Sequence, residues 1–213
     1  MKKILTLWLV LAGVVPGIFA ADNAPLYTEN FEKAELNKAP EKFLILNGDF
    51  AVREEAGNKF LELPGAPLDT FGFLLPAVPA TEIAVQVKVF GTGKGRRYPT
   101  MAVGANGDGG FKLQISPAKK MIELFKGDEV LASAPFEWES GSWTILKLQL
   151  RESGGQWKVE GKAWKDKIAE PKSWMIAYDE KAKPTQGRAG VWAAPYAGTP
   201  IRFDDLTVGP AAK

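Results

Sequence analysis

The chain of 213 residues contains no cysteine and no histidine. The first absence removes disulfides, thiolate nucleophiles and cysteine-ligated zinc together, so the domain must be held by core burial alone, which a chain of this length can supply. The second excludes Ser-His-Asp and Cys-His hydrolysis, His-ligated zinc and non-haem iron sites, because each needs an imidazole. Any catalysis would rest on carboxylates, lysine or tyrosine, which leaves glycosidase-like chemistry as the main enzymatic option. A charge excess is missing too. Residues 1–20 carry Lys2 and Lys3 and no acid, so without them Lys+Arg falls from 27 to 25, against 25 for Asp+Glu. A balanced chain has no basic footprint for nucleic acid, and no nucleic-acid partner is expected. Long hydrophobic runs are also lacking: the apolar stretch from Ile4 to Val15 is about twelve residues, where a membrane span needs about twenty.

That short run is nevertheless informative. It follows Lys2 and Lys3 and leads through Pro16 and Gly17 to small residues at Ala20 and Ala21, the three-part pattern of a signal peptide. Cleavage is expected after Ala20, with Ile18 and Ala20 in the positions a signal peptidase reads. No cysteine follows to accept a lipid, so no membrane anchor is expected after cleavage. The expectation is an exported protein, periplasmic or extracellular, with residues 1–20 as leader and 21–213 as one domain.

Period-two alternation runs through that domain. Ile83, Val85, Val87 and Val89 share one face while Glu82, Gln86 and Lys88 share the other, as a half-buried strand requires. Phe111, Leu113 and Ile115 alternate with Lys112 and Gln114, and Leu146, Leu148 and Leu150 with Lys147, Gln149 and Arg151. Turn residues divide the runs at Asn106–Gly110, Lys126–Asp128 and Ser153–Gly155, which predicts three hairpins. The best helical candidate is a short piece near Asp179 to Ala182. The fold class is all-β, with about a dozen short strands.

Specific segments carry a resemblance. Trp164 to Val208 spaces two tryptophans (Trp164, Trp174), a Gly-x-x-Gly strand start (Gly187, Gly190) and a closing Phe203-Asp204-Asp205 strand. Near the other end, Tyr27 to Leu36 is followed by Gly48-Asp49-Phe50-Ala51-Val52. Together these resemble the concanavalin-A-like, laminin-G-like jelly-roll superfamily, over most of residues 27–208. The resemblance implies an antiparallel two-sheet sandwich whose first strand pairs with its last, covering an edge that would invite aggregation. It also implies kinship with exported bacterial 3-keto-disaccharide hydrolase domains. The Glu-x-Asp-x-x-Glu motif of family 16 glycoside hydrolases is absent.

Three constellations could carry chemistry. Aromatic side chains stack on apolar sugar faces, and Trp138, Trp164, Trp174, Trp192 and Tyr196 lie near expected strand ends or loops, whereas Trp143 and Trp157 read as core. Asn30, Glu32, Asp204 and Asp205 could meet where the first and last strands pair and hold a structural calcium ion, although no cofactor is required. Asp204 shares strand parity with Leu206 and Val208 and is expected to point toward the core, where backbone amides would satisfy it. Glu137 and Glu139 flank Trp138 on what reads as one strand face, or as a polar loop before Trp143. Together with Asp108, Asp179 and Glu180 they are the acids from which a two-carboxylate hydrolase would be built. The glycine-rich Gly91–Arg97 segment lacks the helix and Lys-Ser/Thr pair of a phosphate cradle and reads as a basic hairpin, facing an acidic polysaccharide or surface if anything. The expected function is a noncatalytic carbohydrate-binding, adhesion or accessory module whose partner is a polysaccharide or cell-surface glycan. The alternative is a carboxylate-using, glycoside-hydrolase-like enzyme.

Overall fold

A computed structural model describes residues 24–65 and 69–212. The signal peptide read in residues 1–20 lies outside the described residues. Fifteen strands form two antiparallel sheets. The first has the order β13 (Ile176–Glu180), β12 (Gln156–Lys165), β11 (Thr144–Ser153), β6 (Ile83–Phe90), β15 (Ile201–Pro210), β4 (Asn58–Leu63), β3 (Ala51–Glu55), with β1 (Tyr27–Glu29) also paired to β15. The second has the order β10 (Glu129–Pro135), β9 (Met121–Lys126), β8 (Phe111–Ser116), β7 (Thr100–Ala105), β14 (Gly190–Ala194), β5 (Phe71–Leu74), β2 (Leu44–Asn47). Among the described residues the one helical piece is a 3-10 turn at Pro117–Lys119, and no helix is long and apolar enough to cross a membrane.

The alternating residues do what their spacing requires. Along β6 every second side chain is buried, and Val85, Val87 and Val89 meet Leu148, Leu146 and Thr144 of β11 across the ladder. The three turns Asn106–Gly110, Lys126–Asp128 and Ser153–Gly155 close the β7–β8, β9–β10 and β11–β12 hairpins. Between the sheets, Phe73 is the centre of an aromatic cluster. It stacks on Phe43 at 5.0 Å and meets Phe50 and Phe203 edge-on at 5.0 and 5.9 Å, geometries that add to the burial of the rings.

Three readings need correction. Asp179 and Glu180 are strand, not helix: Lys158, Val159 and Trp157 of β12 pair with Asp179, Tyr178 and Glu180. Trp157 is core, but Trp143 is not. It stands on the parity opposite to Leu146 and Leu148 and packs outside the first sheet against Phe90 and under the Lys88 ammonium. Asp204 also faces outward. Its partner is Lys88, whereas Phe203 and Val208 pair with core valines. The register of β15 against β6 slips between Asp204 and Thr207, where Asp205 takes a φ of +46°. One extra residue in a bulge reverses the parity that a regular strand would keep.

The outward Asp204 is still only 3% exposed. Its carboxylate accepts from the Asn58 Nδ2 at 3.1 Å and from the Asp205 amide at 2.8 Å. Burial pushes its pKa above the ordinary aspartate value, and those two donors reduce the shift without cancelling it. Below the ordinary value both folded and unfolded chains hold the proton and Asp204 does not affect stability. As pH rises through the raised folded value, the native state must carry a buried charge and stability falls. Asp204→Asn removes the charge and keeps one of the two accepting oxygens, so the Tm of the variant relative to that of the parent is expected to be higher at pH 7 than near about pH 3. Equal shifts at both pH values would contradict this. Phe203→Ala should cost about 3–5 kcal/mol by urea denaturation, because it empties the space between both sheets.

Candidate functional site

Side chains on the outward face of the second sheet form a row across five strands. Glu123 of β9 is opposite Gln114 of β8, Gln114 opposite Ala102 of β7, Ala102 opposite Trp192 of β14, and Trp192 opposite Gly72 of β5. With strands about 4.8 Å apart, Glu123 and Trp192 stand about 14 Å from each other, the reach of a short oligosaccharide. The adjoining row is Phe125, Lys112, Gly104, Gly190 and Leu74.

The indole of Trp192 lies on a floor of glycines. A Cβ at Gly72 would stand 2.7 Å from its Cδ1, one at Gly104 2.6 Å from Cζ3, and one at Gly190 2.6 Å from Cη2. No other residue permits the ring to lie that close to three neighbouring strands. The Lys112 ammonium lies over the ring, 5.5 Å from a ring centroid, and Trp192 is 5% exposed although it is not part of the inter-sheet core. At the far end of the row Glu123, also 5% exposed, accepts from Lys119 Nζ through Oε1 at 2.8 Å, while its Oε2 is buried with no hydrogen-bond partner. A buried acceptor left unpaired costs about 1–3 kcal/mol and more when charged. Gln114 donates to Ser116 Oγ at 3.0 Å. The face therefore brings together an indole covered by Lys112, an amide and a buried, unpartnered carboxylate oxygen.

The other aromatic candidates are elsewhere. Trp164 and Trp174 belong to the opposite side of the sandwich, outside the first sheet, where they enclose Lys162. Its ammonium lies 4.4 Å from the Trp174 ring and 6.0 Å from that of Trp164, donates to the Pro171 carbonyl at 2.7 Å and pairs with Glu170 at 2.8 Å. Burial pushes the Glu170 carboxyl up, but Lys147 and Lys162 outweigh it and hold it below its ordinary value. These two tryptophans pack the segment between β12 and β13 onto the sheet. Trp138, in the loop after β10, meets Tyr98 edge-on at 6.5 Å, and its Nε1 is buried without a partner. Tyr196 is 38% exposed in the turn after β14.

Four of the five candidate acids pair with lysines, and Asp108, in the β7–β8 turn, has no such pair among the described residues. Glu137 and Glu139 lie in a loop, not on a strand face, and pair with Lys120 at 3.3 Å and Lys165 at 2.7 Å. Asp179 pairs with Lys158 and Glu180 with Lys126, each at 2.6 Å. Lys165 holds Glu139 below its ordinary pKa. Burial pushes Glu180 up, but Lys126 and the Ala182 amide outweigh it and leave it lowered. A general acid needs the reverse shift.

The proposed calcium ligands also separate. Glu32 Oε1 accepts the Lys59 amide, Asn30 Oδ1 accepts the Glu32 amide, and Asp204 turns to Asn58. Asn30 and Asp205 do line one pocket of about 560 Å³ beside the β1–β15 pairing, but Lys33 and Lys42 line it too, and Lys88 stands 3.7 Å from Asp205. Ammonium groups there oppose a cation, and among the described residues no group of three or more acids is placed to hold a metal.

The sequence reading singled out Trp192 but not Glu123, Gln114 or Lys112 as its companions. Lys112 and Gln114 were visible as the polar side of one alternation. Glu123 was not, because Met121 and Phe125 share its face and hide the parity of β9.

No protein-family model and no curated protein sequence matches the chain. Solved structures do. A carbohydrate-binding module from Bacillus subtilis aligns with 79% of this chain and 95% of its own at a TM-score of 0.52 and 13% identity. A protein of unknown function with a galectin-like fold from the same organism aligns over 89% and 97% at 0.59 and 12%. The catalytic domain of a β-glucanase from Podospora anserina aligns over 89% and 97% at 0.55 and 10%. At these identities the likeness is one of fold: the chain is a two-sheet jelly-roll sandwich, an architecture found in a carbohydrate-binding module, a lectin and a β-glucanase catalytic domain alike.

Proposed function

We propose that this chain is an exported, noncatalytic carbohydrate-binding module that takes a glycan across the outward face of its second sheet. One observation carries the reading: a tryptophan seated flat on three glycines stands in one cross-strand row with Gln114 and the unpartnered Oε2 of Glu123. A pyranose presents an apolar face for the indole and hydroxyls at its rim for the amide and carboxylate. To stack, it takes the place of Lys112 over the ring. That cation–π contact is worth about 0.5–1 kcal/mol, and a hydroxyl hydrogen bond to a charged carboxylate, about 1.5–3 kcal/mol, offsets its loss. The sandwich-shaped binding module from Bacillus subtilis adds weight to the reading. The lysine partners of Glu137, Glu139, Asp179 and Glu180 weigh against a two-carboxylate hydrolase.

The test is binding to a panel of soluble and insoluble polysaccharides. Trp192→Ala should weaken retention at least about tenfold, and Glu123→Gln, which keeps shape but loses charge, about three- to tenfold. Trp174→Phe, on the far side of the sandwich, should leave binding unchanged. Retention that survives Trp192→Ala but is lost in Trp174→Phe would move the site to the first sheet.

A further inference from the structure

The face around Trp192 is electrically uneven, and that unevenness says what kind of sugar it suits. Lys112 forms no ion pair with a described carboxylate, and its one recorded contact of that kind is with the Trp192 ring. Arg188, two residues before Gly190 and outside β14, is likewise without a described carboxylate partner; its carbonyl accepts the Gly107 amide beside β7. At the other end the charge of Glu123 is already matched by Lys119 at 2.8 Å. The Lys112 ammonium over the ring is thus a cation with no described ion-pair partner, while at the Glu123 end a buried carboxylate oxygen lacks a donor.

From this we infer that the module selects anionic saccharides, and specifically uronates, an inference that rests on the glycan-binding reading above. A pyranose stacked on Trp192 displaces the Lys112 ammonium from the ring to its rim. A neutral sugar leaves that ammonium to water, whereas a ring carboxylate gives it a new partner in a partly desolvated place. The uncharged hydroxyls of the same chain extend along the row to Gln114 and to Glu123 Oε2, where a second carboxylate would be repelled. Charge at one end and hydroxyl donors at the other also fix the direction in which the saccharide lies.

The experiment is isothermal titration of the full chain with polygalacturonate and with alginate, each beside its methyl ester, and with dextran sulfate and xylan. The ester keeps the sugar and removes the charge. At least one polyuronate is expected to bind about tenfold more tightly than its ester, with the ratio shrinking as salt is raised. Lys112→Met should narrow that ratio to below about twofold, and Lys112→Arg should preserve it, which separates the charge from the packing of the stem. Equal affinity for acid and ester, or dextran sulfate bound as tightly as the polyuronate, would overturn the inference. Tight binding of xylan alone, still dependent on Trp192, would overturn it too while leaving the glycan-binding reading in place. Absence of binding to every polymer would remove both.

Discussion

The closing strand β15 is the constraint on which the sandwich depends. One of its edges is paired along its length with β6, and the other is divided between β4, at Ile201 to Phe203, and β1, at Leu206 to Val208. In this way the two ends of the described chain meet in the middle of one sheet, where the last strand is paired on both sides and the short first strand covers part of its edge. The strand also supplies Phe203 to the aromatic cluster around Phe73, so the first sheet is keyed to the second through the same ten residues. In a protein without disulfides that connection has to come from burial and register. The bulge at Asp204 and Asp205 fits this arrangement, because it lies where the partner changes from β4 to β1.

The second sheet solves a different problem. A tryptophan on the outside of a sheet would ordinarily stand away from the backbone, and here the absence of three side chains, at Gly72, Gly104 and Gly190, lets it lie down. Glycine in a strand gives up packing and costs conformational entropy. A sheet that carries three such positions under one ring, and leaves a glutamate oxygen without a donor at the end of the same row, gives up stability at this face. The opposite face shows the contrast. There Lys162, Glu170, Trp164 and Trp174 satisfy one another, and Gln149 and Arg151 do the same for Glu160.

Much of the fold was legible in the sequence because period-two alternation is a strong signal when one face is buried. Ile83 to Val89, Phe111 to Ile115 and Leu146 to Leu150 took the faces their spacing required, and the three glycine-bearing turns closed the hairpins expected of them. What could not be read was long-range. The bulge that turns Asp204 outward inserts one residue with no composition cue beyond two adjacent acids, and Trp143 is separated from the core by the parity of a strand whose start the sequence left open. The site shows the same limit. Trp192 was visible as an aromatic near a strand end, but its floor comes from strands β5, β7 and β14, which lie far apart in sequence, and only pairing reveals that Gly72 and Gly104 flank it. The tryptophans that drew equal notice, Trp164 and Trp174, pack the segment between β12 and β13 because a buried lysine lies between them.

The glycine-floored indole of Trp192 is the contact surface that the glycan-binding proposal requires, while Trp138, Trp164 and Trp174 pack against neighbouring side chains. The indole N–H resonances of the tryptophans report this directly in a nitrogen-15 NMR titration with an oligosaccharide the protein retains. The Trp192 resonance is expected to shift progressively with ligand while those of Trp138, Trp164 and Trp174 stay in place. A titration that moves Trp164 and Trp174 and leaves Trp192 unshifted would contradict it.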